Sequence, residues 1–366
     1  MTDPGRPGLS RRRFLALGAA AAAVPVLGGC SGARVSAEFA PGASRGLGAR
    51  AATWVRDQVS TALPRQPEWA RGLGWGAQAL GAGAPDHLLI LSYHDVTADG
   101  LRRTDGRADR YTVSAAAFAA QMQMLASSGF RSVRISDVVR SATGGVALPA
   151  RSVLITFDDG GAGQWIFADR VLADLGLHAV AFLITGHLGA SPAYLSWPEA
   201  QALDRSGRWD IQAHTHDQHH FVPTGALTPP ASVLINRIWD PVSRTLEPAA
   251  AARARVEADL ATCLDLLGRN GLDRPDAFAY PFSQVDQPTN DPGFAAGVAG
   301  LLASRFALRL SNTSPGRLAL PEDLRRGTLP RLEVQHGVTA LDLFERIHAA
   351  DTPRGFDHST GGLAGG

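Results

Sequence analysis

The sequence predicts an α/β fold in which parallel strands alternate with helices and chemically active side chains gather at one end of the strands. Three stretches carry this expectation. Ser152 to Phe157 is a nearly unbroken apolar run with β-branched residues, as strands buried on both faces are, and it ends in Asp158-Asp159-Gly160. Trp209 to Ala213 reads as a short strand followed at once by His214-Thr215-His216-Asp217-Gln218-His219-His220. Leu88 to Leu91 is a third strand, delivering Tyr93 and His94 at its end. In barrels of parallel strands, sites are built at that end.

Taken in order, the chain opens with an address. Ser10-Arg11-Arg12-Arg13-Phe14-Leu15 precedes an apolar segment running from Phe14 to Leu27. That segment is shorter than the roughly 20 residues needed to cross a bilayer, so it reads as a signal-peptide core. The Arg11-Arg12 pair resembles a Tat export signal. Leu27-Gly28-Gly29-Cys30 resembles a lipobox, which implies a lipidated Cys30; an ordinary cleaved signal with a chance cysteine is the alternative. Residues 1–30 are thus a signal peptide, and the mature protein is expected to be lipid-anchored at the outer face of the cytoplasmic membrane or cell surface.

Residues 31–85, rich in Ala, Gly, Arg and Pro with Trp54, Trp69 and Trp75 scattered through them, read as a tether and spacer. Across all 366 residues the net charge is +1 and 45% are hydrophobic, which gives no basic face for nucleic acid. Cys263, on the helical pattern Leu260 to Leu264, is expected to be a core residue without a disulfide partner.

The main domain spans 86–350. After the first strand comes a charged loop from Arg102 to Arg110. Ser114 then caps a helix with Phe118, Met122 and Leu125 at helical spacing, closed by Gly129. A short strand near Val133 and a helix from Ile135 lead through Gly144-Gly145 and Pro149 to the Asp-bearing strand. Trp165 to Leu175 is helical and stopped by Gly176, and Ala179 to Ile184 is a strand. Ser196-Trp197-Pro198-Glu199 is a capping box that starts the next helix, which ends at Ser206-Gly207. Phe221 to Pro248 lacks a period and reads as an insertion loop, Ala249 to Leu267 as a long helix. Strands are expected at Ala277 to Tyr280, around Leu308 and Leu310, and at Leu329 to Val334, which carries Arg331 and Glu333. A helix from Thr339 to His348 closes the domain, and 351–366 is a polar, Gly-rich tail.

Two adjacent carboxylates repel unless a cation, a shared proton or hydrogen bonds hold them. Alone, the pair also fits a loop in which Asp158 caps a helix and Asp159 is solvated. The histidine cluster changes the balance. One carboxylate with two neutral imidazoles makes a three-ligand metal site with an open position.

Thr156-Phe157-Asp158-Asp159-Gly160 and His214-Thr215 resemble the polysaccharide deacetylase family (carbohydrate esterase family 4, NodB-like). The second histidine falls at His219, one residue beyond the common spacing, and Leu91-Ser92-Tyr93-His94-Asp95-Val96 lies ahead of the Asp pair. Both features resemble the permuted subgroup that de-N-acetylates poly-β-1,6-N-acetylglucosamine. The resemblance implies a distorted (β/α) barrel with one catalytic domain. It implies one divalent metal on Asp159, His214 and His219, zinc first and cobalt, nickel or iron next. Asp158 would be the general base and His94 the acid, with His336 the acid in the unpermuted order. A backbone N–H near Tyr280 would face the oxyanion, and Tyr280 would touch substrate. The implied partner is an extracellular amino-sugar polymer. Peptidoglycan, chitin-like oligomers, O-acetyl esters, or carbohydrate binding without catalysis are the alternatives. The family's third motif usually carries an Arg that orients the base; here Phe278-Ala279-Tyr280-Pro281-Phe282 stands in its place.

Overall fold

The computed structural model describes residues 87–98, 110–283, 287–313 and 316–351. The twin-arginine segment, Cys30, the spacer with its three tryptophans, most of the 102–110 loop and residues 352–366 lie outside the described residues.

Eight parallel strands make one sheet: β1 (Leu88–Tyr93), β2 (Arg131–Ser132), β3 (Ser152–Phe157), β4 (Ala179–Leu183), β5 (Trp209–Ala213), β6 (Ala277–Ala279), β7 (Leu308–Asn312) and β8 (Thr328–Glu333). The sheet closes because β1 pairs with β8 on one side and with β3 on the other, the latter in register from Leu88↔Ser152 to Tyr93↔Phe157. Seven strands therefore form a barrel in the order β1, β8, β7, β6, β5, β4, β3, while β2 pairs with the first two residues of β3. Helices α1 (Ala115–Ser127), α2 (Ile135–Ala142), α3 (Asp169–Leu175), α4 (Trp197–Arg205), α5 (Ala249–Arg269), α6 (Pro292–Arg305), α7 (Pro321–Arg326) and α8 (Ala340–Asp351) flank it.

Alternation along the strands sorts their side chains into two apolar clusters. Leu88, Ile90, Leu154, Val180, Phe182, Leu308, Leu310 and Leu329 fill the barrel with Ile135 and Val138 of α2 and Leu324 of α7. Both helices lead into strand starts, so they floor the barrel at its amino end. Leu89, Leu91, Tyr93, Val153, Ile155, Phe157 and Trp209 face outward and are buried under the surrounding helices, among them Cys263 of α5. Towards the carboxyl end the inward positions turn polar: Ser92, Thr156, Gln212 and Arg331 are all buried. An apolar floor beneath a polar upper layer fixes which end can hold chemistry.

Local signals set several boundaries. Ser114 Oγ accepts from the Ala117 N–H, Ser196 and Glu199 form the reciprocal cap of α4, and Gly176 ends α3 at φ 64°. Several features differ from expectation, α6 and α7 among them, which the sequence analysis did not anticipate. The helix expected from Trp165 begins as a π-helical turn, Gln164–Ala168, before α3. The helix expected to stop at His348 continues to Asp351. The 221–248 insertion contains two small antiparallel ribbons, Phe221–Val222 with Ala231–Ser232 and Trp239–Asp240 with Thr245–Leu246. Side chains fasten it: Arg255 donates to Gln218, Glu247 and the Val233 carbonyl, and the Asn290 amide donates to Thr224 and Arg237.

Candidate functional site

The carboxyl end of the barrel opens into a cleft of ≈ 1570 Å³ lined by His94, Asp158, Asp159, His214, His219 and Tyr280, among others. Six of the residues singled out in the sequence thus meet in one place.

Asp158 continues the ladder of β3, its N–H donating to the Tyr93 carbonyl at 2.9 Å. Asp159 then takes φ 69°, a left-handed conformation that aspartate tolerates better than most residues, and Gly160 follows at φ 79°. The turn is clamped from the segment that follows β1. Asp95 Oδ1 accepts from the Val96 and Gly163 N–H groups at 2.9 Å each, and a Cβ on Gly163 would stand 1.9 Å from the Val96 carbonyl oxygen. Only glycine permits that approach.

His214 emerges inward from β5 and is buried. Its Nδ1 donates to the Ala279 carbonyl at 2.7 Å, which leaves Nε2 to face Asp159. Thr215 then adopts φ 80°, costly for a β-branched residue, and the chain is held in that shape from α5. Asp259 accepts from the His216 N–H at 3.0 Å and the Asp217 N–H at 2.7 Å. Gln218 points away to Arg255, so the extra residue in the spacing is absorbed and His219 returns to the cleft. His216 instead meets Thr185 Oγ1 through Nδ1, and His220 meets the Asp217 carbonyl.

Asp159 Oδ1 lies 3.4 Å from His214 Nε2 and 3.3 Å from His219 Nε2, and one ligand atom from each of the three residues fits within 4.8 Å. Oδ1 is buried and has no hydrogen-bond partner, since those separations are ion-pair distances without hydrogen-bond alignment. A carboxylate oxygen facing two imidazole nitrogens is a set of lone pairs that repel unless a cation lies among them. These residues fit a divalent metal. Burial pushes His219 down to about 4, which keeps it neutral and able to ligate. For His214, burial pulls the pKa down, but Asp158 and Asp159 outweigh it and raise it above the usual imidazole value.

Asp158 has a separate partner that sequence reasoning did not assign. Arg331 reaches inward from β8 and grips it bidentately, Nη1 to Oδ1 at 2.7 Å and Nη2 to Oδ2 at 2.6 Å, while Nη1 also donates to Thr156 Oγ1 at 3.2 Å. Burial alone would raise the Asp158 pKa; the guanidinium, with smaller help from His214 and His94, holds it below the usual carboxylate range. Arg331 is fully buried among Leu329, Pro330 and Leu332 of β8, a placement arginine takes only when paired. A lone Arg between Leu329 and Leu332 was the available signal.

His94 lines the same cleft. Its ring lies 4.6 Å from that of Tyr111, and its Nδ1 is buried without a hydrogen-bond partner. His336 does not line the cleft; it is exposed and its Nδ1 meets the Thr112 carbonyl at 3.1 Å. The Tyr280 ring lines the cleft, but its own N–H donates to the Leu310 carbonyl at 2.9 Å. That amide is spent on the barrel ladder and cannot serve an oxyanion, and Pro281 has none to offer.

The comparisons with known proteins agree with this geometry. A family model described as polysaccharide deacetylase matches residues 145–299, which include Asp158, Asp159, His214 and His219 but neither His94 nor Arg331. A Staphylococcus epidermidis protein named poly-beta-1,6-N-acetyl-D-glucosamine N-deacetylase is 30% identical over 142 residues, 36% of this chain and 49% of that protein. One of the same name from Escherichia coli K12 is 24% identical over 219 residues, 54% of this chain and 31% of that protein. The matched stretch thus spans half or less of the length of these curated relatives. A solved de-N-acetylase from Aggregatibacter actinomycetemcomitans shares the fold with a TM-score of 0.60 at 18% identity, over 71% of this chain and 100% of that one. The stretch that a polysaccharide deacetylase family model matches is thus the one that carries Asp158, Asp159, His214 and His219, and the barrel around them is similar in fold to a solved de-N-acetylase.

Proposed function

We propose that this chain is a metal-dependent N-deacetylase acting on an extracellular amino-sugar polymer of the poly-N-acetylglucosamine type. The observation that carries the reading is one cleft holding a three-ligand cluster beside a second carboxylate, Asp158, whose ionised form is fixed by Arg331. The names of the curated relatives support the choice of polymer.

An amide is a poor electrophile and water a poor nucleophile near neutral pH. A divalent cation on Asp159, His214 and His219 supplies Lewis acidity towards both, zinc being the first candidate for this donor set. Asp158 takes the proton from the attacking water. Arg331 engages each of its oxygens from one side only, so lone pairs remain to accept that proton. His94 gives a proton to the departing nitrogen as the C–N bond breaks, and acetate and a free amine result. The Tyr280 ring contributes a wall of the cleft.

The test is acetate release by metal-loaded protein from β-1,6-linked N-acetylglucosamine polymer, chitin oligomers, peptidoglycan and an O-acetylated polysaccharide. Asp158→Asn and His94→Ala are expected to slow release by about a hundredfold or more while retaining metal. Asp159→Asn and His219→Ala are expected to lose metal and activity together, and His216→Ala to keep both. Release from none of the polymers overturns the reading, and wild-type turnover by His94→Ala removes His94 from it.

A further inference from the structure

A line of aromatic rings leads out of the metal cluster. His214 and His219 lie 5.0 Å apart between ring centroids, His219 and Phe282 lie 4.3 Å apart, and Phe282 stacks on Phe221 at 4.3 Å and 27°. All four residues line the cleft. Phe221 is 53% exposed, and neither it nor Phe282 belongs to an apolar core cluster of the described residues. The pair therefore contributes little to the packing of the fold. Phe282 also sits at φ 57°, and Ser283 after it at φ 55°. A bulky aromatic in the left-handed region is strained, and such strain is kept where it aims a side chain at a functional site.

An exposed, nearly parallel ring pair suits a partner with a flat apolar face and polar edges. A pyranose has both: its C–H bonds point from one face towards the electron-rich face of an aromatic ring, while its hydroxyls stay at the rim. An acyl chain would require an apolar lining, whereas this cleft also carries Arg110, Asn312, Glu333 and Gln335. Phe221 lies two ring-to-ring steps from the ligand imidazole of His219, the scale of one sugar unit and its linkage. On the deacetylase reading, which this inference rests on, we infer that Phe221, backed by Phe282, is a stacking subsite for the pyranose next to the one being deacetylated. The enzyme thus reads at least two sugar units.

The experiment compares wild type, Phe221→Ala and Phe221→Tyr. Kd is measured by calorimetric titration with a β-1,6-linked N-acetylglucosamine pentamer, and KM and kcat for acetate release are measured from the pentamer and from free N-acetylglucosamine. Phe221→Ala is expected to raise Kd and KM for the pentamer about tenfold, to leave kcat and metal content unchanged, and to leave the single sugar unaffected. Phe221→Tyr is expected to restore wild-type values. Equal pentamer Kd in wild type and Phe221→Ala overturns the subsite even where acetate release stands. So does loss of metal in Phe221→Ala, which would make the ring a wall of the ligand cluster. Absence of acetate release together with a tenfold weaker pentamer Kd in Phe221→Ala overturns the deacetylase reading and with it the subsite's place beside a deacetylated sugar, leaving only sugar stacking on Phe221.

Discussion

At the scale of single residues, the pairing of Arg331 with Asp158 decides whether Asp158, the proposed base, is ionised. Burial opposes ionisation of Asp158 and Arg331 reverses that balance, so the folded carboxyl titrates below its unfolded value. The pair contributes stability at pH values above the unfolded carboxyl pKa, and this is lost as pH falls through the folded one. Arg331→Met leaves a buried, uncompensated carboxylate. It is expected to cost about 3–5 kcal/mol in urea unfolding and to move the acid limb of kcat/KM to higher pH, because the base form then disappears earlier as pH falls. Arg331→Lys keeps charge without the fork and should shift the limb less. An acid limb unchanged in Arg331→Met would show that Arg331 does not set the state of the base. The aspartates and histidines were legible because their chemistry is crowded into short stretches. Arg331 was not, because its partner lies 173 positions away and only closure of the barrel joins them.

At the scale of elements, boundaries were legible where a side chain caps a helix or a glycine ends one, as at Ser114, Ser196 and Gly176. Helix α6 was missed because Gly293, Gly297 and Gly300 depress its propensity. It forms because Asp291 caps it, accepting from the Phe294 N–H, and because Phe294, Val298 and Leu302 bury one stripe. The ribbons within 221–248 were missed because each strand is two residues long and held by side chains from elsewhere. Two glycines separate these roles. Gly297→Ala meets nothing within 4 Å and should stabilise by roughly 0.5–1 kcal/mol through helix propensity. Gly163→Ala drives a Cβ into the Val96 carbonyl and should cost about 1–3 kcal/mol or more, weakening metal binding as the Asp158-Asp159 turn shifts. Urea midpoints and zinc titrations measure both; a Gly163→Ala protein with wild-type values would mean that the clamp from Asp95 does not position the turn.

For the whole molecule, two-sided burial of the strands was legible in their continuous apolar runs, but which strands meet was not. Closure rests on long-range pairings such as β1 with β3 and on the narrow contact of β6 with β5, a single register pair, Phe278↔Ala213. Local periodicity encodes neither. The proposed metal site spans this architecture, with Asp159 after β3 and His214 and His219 after β5, so a bound cation would cross-brace strand ends that the unfolded chain leaves far apart. Ligand bound only to the folded state stabilises it by mass action, about 2.7 kcal/mol at a hundred times Kd. For a domain of this size that corresponds to roughly 5–10 °C in Tm. Scanning calorimetry of chelator-treated protein, with and without added zinc, should show this rise for wild type and for His216→Ala, and little or none for Asp159→Asn and His219→Ala, each of which leaves two ligands. If stripped and zinc-loaded wild-type protein unfold at the same temperature, the three side chains do not form a metal site, and the base and acid assigned beside it lose the electrophile they serve.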